Sequence, residues 1–218
     1  RFNAVEFSGL ATGKVYVKSP FDGLQAHTHL NVQNFHFNNG LLGDMDVTGK
    51  WDKEIGILID ADIREGNVAH TTVNGFISPQ QNGLDLQIDA NETNLTFLNS
   101  FLGGIFSDIE GRAKGNMHLY GSFKNLNLIG DAVGTVGLTP YVLNTPLTIK
   151  NDTIRMRQEY IELPSATLYD KEGHTALIAG RLEHQHLTNM SYDFKIKMNR
   201  IFREYAGMRF LLQLLWQL

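Results

Sequence analysis

Apolar and polar residues alternate with period two along most of the chain, the pattern of strands with one buried face. Lys14 to Lys18 alternates, and so does Ala26 to Val32. Ile55, Ile57, Ile59, Ala61 and Ile63 form one apolar row, with Asp60, Asp62 and Arg64 on the other side and Leu58 as an interruption. Leu84, Leu86, Ile88 and Ala90 form another row, separated by Asp85, Gln87 and Asp89. Later rows are Leu126 with Leu128, Leu147 with Ile149, Ile154 with Met156, and Phe194, Ile196 and Met198. Turn residues separate the runs: Asn38-Asn39-Gly40, Ser78 to Gly83, and Asp170 to Gly173. Asn and Gly tolerate positive φ, so the first reads as a tight hairpin. Nothing alternates strand with helix, which argues against a parallel α/β sheet. The expected fold is all-β.

Two segments break the period. Asn94 to Phe106 carries apolar residues at helical spacing, and Gly103-Gly104 would stop such a helix. Arg200 to Leu218 also reads as helical, but Arg203, Glu204 and Arg209 make it too short and too charged for a secure membrane span.

The chain also repeats. Ala11 to Leu24 and Ala113 to Leu126 superpose at an offset of 102, which aligns Ala11 with Ala113, Gly13 with Gly115, Phe21 with Phe123 and Leu24 with Leu126. The ends of the two halves match too: Thr72 to Ile77 resembles Leu177 to Leu182. Each is followed by a polar turn and an alternating strand, Leu84 to Ala90 or Tyr192 to Met198. Stacked strand groups of one kind share a continuous apolar face and contact mainly their neighbours.

Composition narrows the function. With 42% hydrophobic and 19% charged residues, the 218-residue chain has the balance of a folded protein. A net charge of −4 lacks the basic field that nucleic acid or an anionic membrane attracts, so no nucleic-acid partner is expected. The absence of cysteine removes disulfides, thiolate metal sites and cysteine nucleophiles, and fits a bacterial envelope or cytosolic protein. The start at Arg1, without a signal peptide, reads as a piece of a longer protein.

The repeat unit resembles that of the TamB family, the inner-membrane-anchored component of the translocation and assembly module within the AsmA-like group. Gly111 to Leu126 is similar to the family's Gly-punctuated strand unit. Gly9 to Leu24 is similar to it with Ser19 in place of the last Gly. Asn94 to Leu102 is similar to the short helix preceding such a unit, and Ala166 to Gly180 resembles a family hairpin. The resemblance spans about residues 7 to 199. It implies an elongated, U-shaped β-taco sheet with an apolar concave groove, in the periplasm of a Gram-negative bacterium, as part of an inner-membrane-anchored envelope protein. It also implies handling of phospholipid acyl chains or nascent outer-membrane protein strands in outer-membrane biogenesis, with an outer-membrane barrel of the TamA type as partner. Residues 1–199 then form a single elongated β domain of two related halves, about 9–90 and 111–199. Residues 200–218 depart from the family, as a local variant or as an artefact of how the chain was cut or read.

Candidate groove residues are Val15, Val17, Leu30, Val32, Ile55, Ile57, Ile59, Leu86, Ile88, Met117, Leu119, Leu126, Leu128, Phe194 and Ile196. Strand register decides which face each takes. Catalysis, metal and cofactor are not expected. His27 with His29, and His184 with His186, have the spacing of strand metal ligands, but no carboxylate accompanies either pair. The acidic pairs read as a solvent face. No nucleophile elbow, phosphate loop or HExxH motif is present. The alternatives are a carbohydrate-binding or adhesive β-sandwich, for which Tyr16, Trp51, Tyr141, Tyr160 and Tyr169 are dispersed in sequence, and a histidine-dependent hydrolase.

Overall fold

A computed structural model describes residues 6–18, 25–141 and 143–198. The proposed C-terminal helix at 200–218 lies outside the described residues. Twelve strands follow one another: β1 Phe7–Lys18, β2 Gln25–Phe37, β3 Gly40–Asp52, β4 Gly56–Glu65, β5 Ala69–Ser78 and β6 Gly83–Asn94, then β7 Phe106–Ser122, β8 Asn125–Pro140, β9 Leu147–Met156, β10 Tyr160–Tyr169, β11 Thr175–Gln185 and β12 Thr188–Met198. They form one open antiparallel sheet in strict sequence order. The all-β expectation holds.

The turns work as their residues require. Asn38, with φ 51°, makes the two-residue reversal from Phe37 to Gly40. Asp170 takes the backbone N–H of Glu172 (2.9 Å) and of His174 (2.8 Å) on its side chain, closing the β10–β11 loop.

The internal helix is shorter than the predicted Asn94–Phe106. A 3-10 turn at Thr96–Leu98 runs into α1, Asn99–Leu102, while Asn94 closes β6 and Phe106 opens β7. Asn99 pins this segment to β7: its Oδ1 accepts from the Ile109 N–H at 2.9 Å, and its Nδ2 donates to the Ile109 carbonyl at 2.7 Å.

Residues paired across antiparallel strands point to the same side of the sheet. One row therefore runs Val15, Thr28, Gly49, Ile59, Gly75, Leu86, Leu119, Leu128. Its neighbour in the second half runs Gly130, Met156, Ile161, Leu182, Tyr192. Both rows lie on one face, and it holds the core. Leu147, Ile149, Ala166, Leu168, Ala176 and Ile178 form one buried cluster. Leu95, Phe106, Ile109, Ala113 and Val136 form another, packed against Phe97, Leu98 and Leu102.

That face is the inner one. Phe106 of β7 meets Phe194 of β12, five strands away, with ring centroids 6.2 Å apart. The helical segment folds back over the same face, and Phe97 and Phe101 reach Phe37 at 5.3 and 6.0 Å. Gly40 permits this approach, because a Cβ there would stand 2.5 Å from the backbone nitrogen of Phe97. Bulges at Asn34, Glu92 and Asp108 bend the strands toward this end. Arg112 ties β7 back to β4 through Glu65 at 2.8 Å, and also donates to the Glu92 carbonyl in the bulge.

Each half supplies six strands, and the hairpin register repeats with the sequence. The offset of 102 carries Gly13↔Leu30 onto Gly115↔Ala132, and Ala11↔Val32 onto Ala113↔Gly134. It also carries Gly9 onto Gly111, both at positive φ (153° and 135°).

Candidate functional site: an apolar face open at one end

Fourteen of the fifteen candidate residues fall on the inner face. Val15, Val17, Leu30 and Val32 enter it from β1 and β2, Ile57 and Ile59 from β4, and Leu86 and Ile88 from β6. Met117, Leu119, Leu126 and Leu128 pair directly with that row or with each other's strand, and Phe194 and Ile196 close it on β12. Ile55 is the exception. It sits in the β3–β4 turn, where its N–H and that of Glu54 both bind the Asp52 carboxylate at 3.0 and 2.9 Å. The turn consumed a residue that the alternation had assigned to the strand.

Burial along this face is graded. At the helix end, Ala61, Ile63, Ala69, Ala90, Ala113, Val136, Leu147 and Leu168 are buried. Toward the opposite end, Leu30, Ile57, Ile59, Leu86, Ile88, Met117, Leu119, Leu126 and Leu128 are only half-buried. On β1, Val15 and Val17 are exposed. The aromatic residues around Phe97 thus close one end of an apolar trough, and the other end stays accessible along β1 to β8, whereas Met156 and Leu182 on β9 and β11 are buried there.

Sequence reading missed two kinds of contributor. Met45, Val47, Trp51 and Ile161 also belong to the apolar face by pairing. Gly75, Gly115 and Gly130 lie in it as well, at positions where a Cβ would collide with a carbonyl oxygen of the neighbouring strand. An alternation scan gives no weight to glycine. Pairing each glycine with the predicted cross-strand neighbour would have found these positions.

The outer face is polar. Asp62 accepts from Arg64 at 2.6 Å and meets His70 at 2.7 Å, and the Arg64 hydrogen bond leads in holding its carboxyl below the usual carboxylate range. Asp85 meets His118 at 2.8 Å. His29 lies 3.6 Å from Asp46, both largely exposed. A depression of about 840 Å³ opens here over β5 to β8, bordered by His70, Asp89, Lys114 and Asp131. The ligand atoms of Asp170, Glu172 and His174 lie within 4.8 Å of one another. Asp170 is already committed to its turn. The tyrosines do not gather into a platform: Tyr16 stacks on His27, Tyr160 lies under Arg181, and Tyr169 lies under Lys150.

His184 differs from the other histidines because it is buried. Its Nδ1 accepts the Leu187 N–H at 3.3 Å in the β11–β12 turn. Burial, and secondarily repulsion from His186, holds its imidazole below the ordinary value. The unfolded chain takes up this proton at pH ~6.5, whereas the folded chain resists it. The contribution to stability is therefore complete above that pH and is lost as pH falls toward the folded value. A thermal melt series from pH 8 to 5 should show a midpoint difference between wild type and His184→Gln that shrinks below pH ~6.5. A difference constant across the series would refute it.

No family model, curated protein or solved structure matches this chain.

Proposed function

We propose that the chain is a scaffold of the TamB type that takes phospholipid acyl chains into its apolar trough and supports outer-membrane biogenesis. The observation that carries this reading is a single apolar face: fourteen candidate residues on one side, packed at the helix end and accessible at the other end of β1 to β8. Burying a methylene gains about 0.8 kcal/mol, so six methylenes of one acyl chain gain about 5 kcal/mol before the costs of association. Such a site needs shape and apolar area but no polar motif. The periplasmic setting, the inner-membrane anchor and a TamA-type barrel partner follow from the resemblance of Gly111 to Leu126 to the family unit.

The test uses a photo-crosslinking side chain at Leu86, Leu119 or Leu128, with Gln87 and His118 as positions on the outer face. Detergent-free protein is mixed with phospholipid vesicles, irradiated and weighed by native mass spectrometry. Lipid adducts are expected at the three leucines and at neither outer position. Equal labelling of both faces, or no lipid on the protein at all, would sink the reading.

A further inference from the structure

The wall of the trough has a gap at its open end. The ladder between β8 and β9 stops at Gly130↔Met156, so residues 125–129 of β8 run on past the β9–β10 hairpin with no ladder partner on that side among the described residues. The β11–β12 turn spans this gap. His186 Nδ1 donates to Oδ1 of the buried Asn127 at 2.9 Å, and the His184 N–H donates to the Glu159 carbonyl at 2.9 Å. The turn itself is lightly held. The register shifts between Glu183 and Gln185, and beyond that point the ladder has one pair, Gln185↔Thr188. His186 and Leu187 stand at φ 50° and 62°, a left-handed backbone that is costly for a side chain such as leucine. The bond from the Leu187 N–H to His184 Nδ1, at 3.3 Å, secures that conformation.

Because Nδ1 accepts, neutral His184 carries its proton on Nε2, which is buried and without a hydrogen-bond partner among the described residues. A second proton would put an N–H at Nδ1, directly against the Leu187 N–H, and a full charge where water does not reach. The surroundings do not offset it. Glu183 on β11 and Glu159 in the β9–β10 turn are exposed, and Glu159 offers only its carbonyl. Arg157 is committed to Asp131 at 2.9 Å, and Tyr160 lies under Arg181. Tyr192 on β12, opposite Leu182, is a neutral phenol, pushed further from ionisation by burial.

We propose that His184 is a proton-operated latch: on taking up a proton its ring leaves the buried position, the β11–β12 turn relaxes, and the gap beside residues 125–129 opens. His186 does not work the latch, since its Nδ1 donates to Asn127 in either protonation state. The latch is closed above pH ~6.5, where even a free imidazole is neutral, and opens as pH falls below it. Leu126 and Leu128 on this stretch belong to the apolar face, so acid widens the way into the trough. That use of the opening rests on the acyl-binding reading above, whereas the latch does not.

Hydrogen exchange of the lipid-free chain, read amide by amide by NMR from pH ~7.5 to ~5.5 and divided by the intrinsic rate at each pH, tests it. The amides of Leu187 and His184 should gain up to about tenfold, as an open-state imidazole near pH 6.5 dictates. The Ile109 amide, held by Asn99 Oδ1 at the helix end, should not change. In His184→Gln the turn should exchange at one rate across the range. An equal gain at Ile109, no gain at Leu187, or a pH dependence that survives in His184→Gln would each overturn the latch. Should that variant fail to fold, the comparison of Leu187 with Ile109 in the wild type decides. Absence of lipid labelling at Leu128 at every pH would strike the acyl reading and leave these exchange results to stand.

Discussion

Leu168→Ala is expected to lower stability by about 2–5 kcal/mol, the largest loss from one residue in this fold. Leu168 is 1% exposed near the end of β10, opposite Ile149 on one side and Ala176 on the other. Leu138, Leu163 and Phe194 pack around that cluster, so the cavity left by truncation cannot readily collapse. For a chain of this size the loss corresponds to a fall of about 5–15 °C in the thermal midpoint. Urea unfolding followed by circular dichroism gives the free energy directly. A change below about 1 kcal/mol would mean that the helix end of the trough is not a packed core.

Leu119→Asp is expected to have the largest effect on acyl capture. Leu119 lies mid-face, opposite Leu86 on one side and Leu128 on the other, and it is half-buried. A carboxylate there would meet methylenes with no partner, and an unpaired charge in apolar surroundings is costly. Losing contact with even two methylenes costs about 1.6 kcal/mol, so capture of a fluorescent phospholipid should fall at least about tenfold. Gln87→Asp adds the same charge one residue away from Leu86 on the outer face and should leave capture unchanged. Equal losses from both variants would point to surface charge rather than to the trough.

Much of this architecture was legible as alternation. Rows such as Ile57 to Ile63 and Leu84 to Ala90 are strands because a period of two is what a half-buried sheet demands, and their shared face follows once short turns fix the register. Ile55 shows the limit: its apolar side chain continued the row, but Asp52 had already captured its N–H for a turn. The helical segment was legible in kind but not in length, because Asn94 and Phe106 find partners on β7 and β8. The closure of one end was not legible. It depends on Phe37, Phe97 and Gly40 meeting in space, and no local period carries that information. His184 was singled out for its spacing from His186, whereas its burial became visible only from the fold.

The unbroken strand order bears on how the chain acquires its structure. Every strand bonds only to its neighbours in sequence, so each hairpin spans a short loop whose closure entropy is small. Folding rates rise as contacts become more local, and large β proteins are usually slow because theirs are not. Here the sheet can grow one strand at a time as the polypeptide emerges, with each finished strand serving as the template for the next. Contacts such as Phe37 with Phe97, Glu65 with Arg112, and Phe106 with Phe194 must wait for distant segments. Zippering of the ladder would therefore precede sealing of the trough.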